Sequence, residues 1–110
     1  MFGFGGKAHK EITPSALRGM LESGSALVVD VREVNEFAAG HIEGAVNLPL
    51  SRFSTADIPD VAGRTIILQC AGGKRSGLAL DRCAAAKAAI DTHLAGGLAA
   101  WAAAGYPVVR

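Results

Sequence analysis

Much that would narrow a function is missing from this chain of 110 residues. It has only two cysteines, Cys70 and Cys83, in a sequence that is 50% hydrophobic. Disulfide scaffolds are short of core and rich in cysteine, so none is expected here, and a reducing, cytoplasmic home is. No apolar run approaches the roughly 20 residues that a membrane helix needs. Met1 to Gly6 is rich in phenylalanine and glycine and lacks the apolar stretch of a secretory signal, so it reads as a flexible start. The formal net charge is +1 and charged residues make up 19%. Without a lysine or arginine stripe, a nucleic-acid surface is not expected. His9 and His93 have no partners at ligand spacing, so no metal site is expected either.

What is present suffices for one domain and is too little for two. Positions 1–11 are expected to form the flexible segment and 12–110 the domain. Ile12 reads as a short first strand. Thr13-Pro14 reads as N-cap and N1 of a helix to about Glu22, with Ala16, Leu17, Met20 and Leu21 on its apolar face and Gly24 as its stop. Ala26-Leu27-Val28-Val29 is a continuous apolar run ending at Asp30, the pattern of a buried parallel strand. Glu33 to Ala39 predicts a short helix broken by Gly40, and Ala45 to Leu48 a short strand. Residues 51–63 read as loop with one helical turn. Thr65 to Leu68 predicts a strand, and about Arg75 to Ala88 a helix with Leu78, Ala79, Cys83, Ala86 and Ile90 near its inner side. Ile90 to Leu94 predicts the last strand and Leu98 to Ala104 the last helix. This alternation implies an α/β fold, a mainly parallel sheet with helices on both faces. Ligand sites in such sheets lie at the carboxyl ends of strands, where Asp30 and Cys70 stand.

The segment Gln69-Cys70-Ala71-Gly72-Gly73-Lys74-Arg75-Ser76 carries the most chemistry. A cysteine between a strand and a helix start is a nucleophile candidate. The glycines let backbone N–H groups converge on it, and the helix dipole and the cations Lys74 and Arg75 favour thiolate over thiol. A core cysteine needs none of these. Cys83, mid-helix among alanines, reads as packing. Arg75 is expected to hold the loop through a fork of hydrogen bonds to a carboxylate or carbonyl. For Lys74, attraction of an anionic substrate and simple solvation stay open. Ser76 either caps the helix or donates to the sulfur. Asp30 either caps nearby backbone N–H groups or orients the site. Arg32 is expected to pair with Glu33 or Glu36. Phe37 and Trp101 read as packing residues.

The same residues resemble a known family. Cys70-x-x-Gly73-x-Arg75-Ser76 is similar to the active-site loop of rhodaneses, the single-domain sulfurtransferases. Val28 to Glu33 with Glu36-Phe37, then Gly40 to Pro49, resembles that family's upstream signature. Leu94 to Gly97 with Trp101, then Gly105-Tyr106-Pro107, resembles its downstream one. The three blocks stand in family order over about positions 12 to 107. The resemblance implies a rhodanese-like three-layer sandwich and a structural role for His41. It also implies a catalytic cycle. Cys70 takes the outer sulfur of thiosulfate or another small anionic donor and carries it as a persulfide. The sulfur then passes to cyanide, a thiol or a protein cysteine. Residues Ala71, Gly72, Gly73, Lys74, Arg75 and Ser76 form the anion-binding loop, with Asp30 and Arg32 supporting it. No metal or organic cofactor is required, and a monomer is expected.

Two departures bear on this reading. Ala85 to His93 lacks the family's glycine–aromatic pair after the helix and puts Asp91 at a usually apolar strand position, which leaves that register open. Ala71 has no side chain to grip a sulfonate. The alternatives are a cysteine-dependent phosphatase or oxyanion reductase, or a non-catalytic rhodanese-like binding module. Only four residues separate Cys70 from Arg75. A tyrosine-type phosphatase has one more. A shorter loop makes a smaller ring of donors, better suited to one persulfide sulfur than to a phosphate. A binding module would more naturally have lost Cys70 or its glycines.

Overall fold

The computed structural model describes residues 9–110, and strand alternates with helix in the expected order. Strand β1 (Lys10–Ile12) leads into helix α1 (Pro14–Glu22), and β2 (Ala26–Asp30) into α2 (Val34–Ala39). Then come β3 (Val46–Asn47), β4 (Thr65–Gln69), α3 (Lys74–Ala85), β5 (Thr92–Leu94) and α4 (Gly97–Ala103). The strands form one parallel sheet in the order β1-β5-β4-β2-β3. β2 and β4 pair from Ala26↔Thr65 to Asp30↔Gln69, so their carboxyl ends are level. From β2 the chain turns toward the β3 edge, and from β4 toward the β1 edge. The loops after these two strands therefore diverge, and this is where a parallel sheet opens a crevice.

Alternate side chains along each strand face opposite layers. Val28, Ile67 and Leu94 pack with Leu17 of α1 and Trp101 of α4 on one face. Val29 and Leu68 pack with Ala79, Leu80 and Cys83 of α3 on the other. The fold is thus α/β with helices on both faces of the sheet. Trp101 is 2% exposed, and its indole Nε1–H donates to Pro107 O at 2.8 Å. That bond satisfies its one donor and ties the chain end to α4.

The helix ends explain several boundaries. Thr13 Oγ1 accepts from Ala16 N–H at 3.1 Å, and Pro14 follows at the first helical position, where its missing N–H costs nothing. Leu17 is buried and Met20 and Leu21 pack beside it, but Ala16 is exposed, outside the stripe expected for it. In α3 the buried stripe is Ser76, Ala79, Leu80 and Cys83, spaced for a single helix face. Leu78 and Ala86, expected inside, are exposed. The helix also stops at Ala85, three residues short of the expected end. Lys87 has φ +58, and Ala88 N–H donates to Cys83 O at 2.9 Å while Lys87 N–H donates to Ala84 O at 3.0 Å. This is a Schellman stop with a lysine where glycine is usual. The missing glycine had hidden the helix end.

β5 begins at Thr92, two residues later than expected. Asp91 stays outside it, exposed, with its carboxylate 3.3 Å from Lys10 Nζ. The charge therefore never enters the sheet. Two 3₁₀ turns, Leu50–Arg52 and Thr55–Asp57, replace the single turn expected in 51–63. The expected flexible start over Met1 to Gly6 lies outside the described residues. Lys10 and Glu11, included in the expected segment 1–11, pair with Thr92 and His93 as part of β1. Among the described residues no helix is long and apolar enough to cross a membrane.

Candidate active site

β4 ends at Gln69 and places Cys70 at the crevice between the two diverging loops. Ala71, Gly72 and Gly73 make the turn, and α3 starts at Lys74 with Gly73 as N-cap. Gly73 has φ +112, a conformation that L side chains rarely adopt, and its N–H reaches Cys70 Sγ at 3.0 Å. Ser76 Oγ lies 3.5 Å from the sulfur. Burial pushes the Cys70 thiol pKa up, but hydrogen bonds from the Ser76 hydroxyl and from the Ser76, Gly73 and Gly72 N–H groups outweigh it and bring the thiol below its ordinary value. Cys83 has no such donors, and burial raises its thiol.

α4 closes the loop from the other side. Leu98 N–H donates to Cys70 O at 2.8 Å and Ala99 N–H to Ala71 O at 3.0 Å. So close an approach requires Gly97, whose φ is +62 and whose added Cβ would fall 2.6 Å from Ala71 C. The downstream glycine pair is thus the contact through which α4 fixes the cysteine loop.

The cations divide unequally. Arg75 Nη1 and Nη2 donate to the two Glu36 carboxylate oxygens at 2.7 and 3.0 Å. This fork ties the loop to α2. The Arg75 hydrogen bond is the main cause that lowers the Glu36 pKa from 4.5 to about 2, with help from Glu33 N–H, and Arg75 is raised in turn. Lys74 is exposed. Arg32 does not pair with Glu33 or Glu36 as expected. Its Nη2 lies 2.8 Å from Asp30 Oδ2 in a buried pair, and it also donates to Gly40 O at 2.6 Å. Asp30 in addition accepts from Arg32 N–H at 2.9 Å, so its cap and its charge serve the same turn. With Arg32 held by Asp30, Glu36 is left to Arg75. Glu33 Oε1 accepts from Ser51 Oγ at 2.7 Å.

Arg75, Ser76, Gly72 and Gly73 therefore gather around Cys70, while Asp30 and Arg32 brace the neighbouring turn. A cavity of about 360 Å³ opens at this end, lined by Arg32, Glu36, Gly40, Ala71, Leu98 and Val108 among others. It stops at Ala71. Cys70 itself is 1% exposed and does not line it. A larger cavity of about 390 Å³, lined by Arg18, Arg64 and Trp101 among others, lies at the opposite, amino end of the strands and touches none of these residues. His41 stacks on Phe37, ring centroids 3.8 Å apart, and its Nδ1 lies 2.8 Å from Phe37 O. Among the described residues no group of three His, Cys, Asp or Glu side chains could hold a metal ion.

Sequence reasoning missed two participants. Glu36 is the carboxylate that receives Arg75. His93 Nδ1 lies 2.7 Å from Ser76 Oγ, one hydrogen bond from the group beside the sulfur. The available signal was a histidine within a strand adjacent to the one that bears the cysteine.

A family model described as "Rhodanese-like domain" matches residues 13–104. The chain is 40% identical over 99 residues to the uncharacterized protein slr1261 of Synechocystis, covering 90% of this chain and 55% of that protein. It is 40% identical over 96 residues to the probable adenylyltransferase/sulfurtransferase MoeZ of Mycobacterium tuberculosis, covering 83% of this chain and 24% of that one. The chain thus spans about half or less of these curated relatives. Among solved structures, a rhodanese-related protein of Thermoplasma volcanium superposes with a TM-score of 0.78 at 27% identity, covering 92% of this chain and 98% of that one.

Proposed function

Because the chain belongs to the rhodanese-like domain family, we propose that it is a sulfurtransferase that carries a sulfane sulfur on Cys70. The observation that carries this reading is the Gly73 N–H at 3.0 Å from a cysteine sulfur whose thiol is held below its ordinary pKa. A thiolate held by donors that do not have to reorganise is a prepared nucleophile.

The cycle has two halves. The Cys70 thiolate attacks the outer sulfur of thiosulfate, the bond between the two donor sulfurs breaks, and sulfite leaves with the electron pair. The terminal sulfur of the persulfide carries negative charge, which the loop N–H groups and the start of α3 stabilise. Cyanide, a small thiol or a protein cysteine then attacks that outer sulfur, and Cys70 leaves again as thiolate. Neither half needs a metal or an organic cofactor. Arg75 is locked in its fork with Glu36, so its part is to hold the loop and supply field. Lys74, exposed beside it, meets the anionic donor. The spacing of four residues between Cys70 and Arg75 favours this chemistry over phosphoryl transfer. The similarity to a probable adenylyltransferase/sulfurtransferase agrees with the reading.

The test is intact mass after thiosulfate treatment. The protein is expected to gain the mass of one sulfur atom, to lose it to cyanide or a thiol, and to gain nothing as Cys70→Ser. An adduct that survives Cys70→Ser and disappears with Cys83→Ser would place the nucleophile elsewhere.

A further inference from the structure

A sulfur that is 1% exposed has to lose its proton somewhere, and the route is built behind it. Cys70 Sγ lies 3.5 Å from Ser76 Oγ, and Ser76 Oγ lies 2.7 Å from His93 Nδ1. The other ring nitrogen, Nε2, stands 3.4 Å from Glu11 Oε2. Ser76 is 0% and His93 5% exposed, whereas the Glu11 side chain is 59% exposed. The row of polar atoms therefore begins at the reacting sulfur and ends in solvent at Glu11, and none of Ser76, His93 and Glu11 lines the cavity beside Ala71. Its members come from separate elements. Cys70 follows β4, Ser76 belongs to α3, His93 to β5 and Glu11 to β1. The turn 71–73 brings Ser76 to Cys70, and the packing of α3 on β5 and the pairing of β1 with β5 bring in His93 and Glu11.

The chemistry of the ends sets the direction of the hydrogen bonds. The Glu11 carboxylate near Nε2 favours the neutral His93 tautomer with its proton there, which presents Nδ1 as an acceptor. The Ser76 hydroxyl then donates to Nδ1, and its oxygen is free to accept from the Cys70 thiol. Gly73 O, 3.2 Å from Ser76 Oγ, is the competing acceptor for that hydroxyl.

We propose that Ser76 and His93 form a proton relay that takes the Cys70 thiol proton inward, with His93 as a positioning residue acting through Ser76. The S–H proton passes to Ser76 Oγ as the Ser76 proton passes to Nδ1. Thiol and neutral imidazole become thiolate and imidazolium, with no net change of charge. In the product the two inner bonds have reversed: Nδ1–H donates to Ser76 and Ser76 donates to the thiolate, while Nε2–H still faces the Glu11 carboxylate. The reversed Ser76 bond stabilises the anion from which sulfur transfer starts.

Among the described residues His93 also faces His9, whose ring lies edge-on with centroids 5.9 Å apart and whose Nε2 is 2.8 Å from Asp81 Oδ1. Gly77 of α3 lies beside both rings and adds no charge. Burial holds the His93 pKa down, Glu11 pushes it up and His9 pushes it down. In the absence of a thiolate, His93 is therefore a weak base. A thiolate one serine away is the partner that makes it a stronger one.

The relay rests on Cys70 being the nucleophile, but it can be read without turnover. The measurement is the titration of the His93 ring followed by NMR in the full chain, as wild type and as Cys70→Ser. Opposite charges about 6 Å apart at an effective dielectric near 20 shift each other's titration by about two units. His93 is expected to titrate higher by that amount in the wild type than in Cys70→Ser. Reciprocally, His93→Gln should raise the midpoint of Cys70 alkylation and leave a single step where the coupled pair gives two. Should His93→Gln fail to fold, the Cys70→Ser arm still decides. A His93 titration that is the same with and without the thiol overturns the relay. Coupling without sulfur loading overturns the sulfurtransferase reading alone, and loading without coupling overturns the relay alone.

Discussion

Substitution of Gly97 by alanine tests how the site is held. Gly97 has φ +62, and an added Cβ would strike Cys70 O and come within 2.6 Å of Ala71 C and O. Both neighbours are backbone, so no side chain can swing away. Gly24 is the control. It too has positive φ, at +72, yet its Cβ would meet nothing within 4 Å. The left-handed conformation costs an L residue about 1–2 kcal/mol at either position. At Gly97 the clash must also push α4 off the loop, and the bonds from Leu98 to Cys70 and from Ala99 to Ala71 stretch or break. At about 1 kcal/mol per hydrogen bond, Gly97→Ala should be less stable than Gly24→Ala by about 2 kcal/mol. Urea unfolding of both variants reads this difference. The alkylation midpoint of Cys70 adds a functional arm: it should rise in Gly97→Ala and stay in place in Gly24→Ala. Equal destabilisation by the two alanines, with an unmoved Cys70, would refute the claim that α4 fixes the loop through this contact.

Three further outcomes are expected. Glu36 has its pKa depressed from 4.5 to about 2, so its pairing with Arg75 stabilises the fold above the unfolded value and loses that contribution as pH falls toward about 2. The pair is one-third exposed, which screens it to about 1 kcal/mol. Wild type and Glu36→Gln should therefore differ by that amount at neutral pH in urea unfolding and converge through this acid window; a gap independent of pH would contradict the assignment. Lys87→Gly should raise stability by about 0.5–1 kcal/mol, because Lys87 holds φ +58 at the end of α3. A loss of stability would show that the lysine's backbone is not strained. Turnover of an aryl phosphate should stay orders of magnitude below sulfur transfer, and Cys70-dependent phosphatase activity that matches it would reverse the choice between the two chemistries.

The legible part of the fold followed from local signals. Ala26 to Asp30 and Thr65 to Gln69 are short apolar runs, and Thr13-Pro14 is a helix start. Their meaning does not depend on what they pack against. Cys70 and its glycines were legible for the same reason, since strand, turn and helix start are contiguous. The ion pairs were not. Arg32 has Asp30, Glu33 and Glu36 within four positions, and only the turn after β2 decides among them. Arg75 finds Glu36 across a separation of 39 positions. His93 has no ligand-spaced partner along the chain, and its partner Ser76 is reached only through the α3–β5 packing. The end of α3 was obscured by Lys87, since a stop made with lysine carries no glycine to mark it.

The central claim is that Cys70 holds the transferred sulfur between two half-reactions. Thiosulfate labelled in its outer sulfur tests this most directly, followed by removal of free donor and a single addition of cyanide. The label should remain with the wild-type protein, appear quantitatively as thiocyanate on addition of cyanide, and fail to bind to Cys70→Ser. Label placed in the inner sulfur should leave as sulfite. Retention of the inner label, or an outer label held as tightly by Cys70→Ser as by the wild type, would contradict the account.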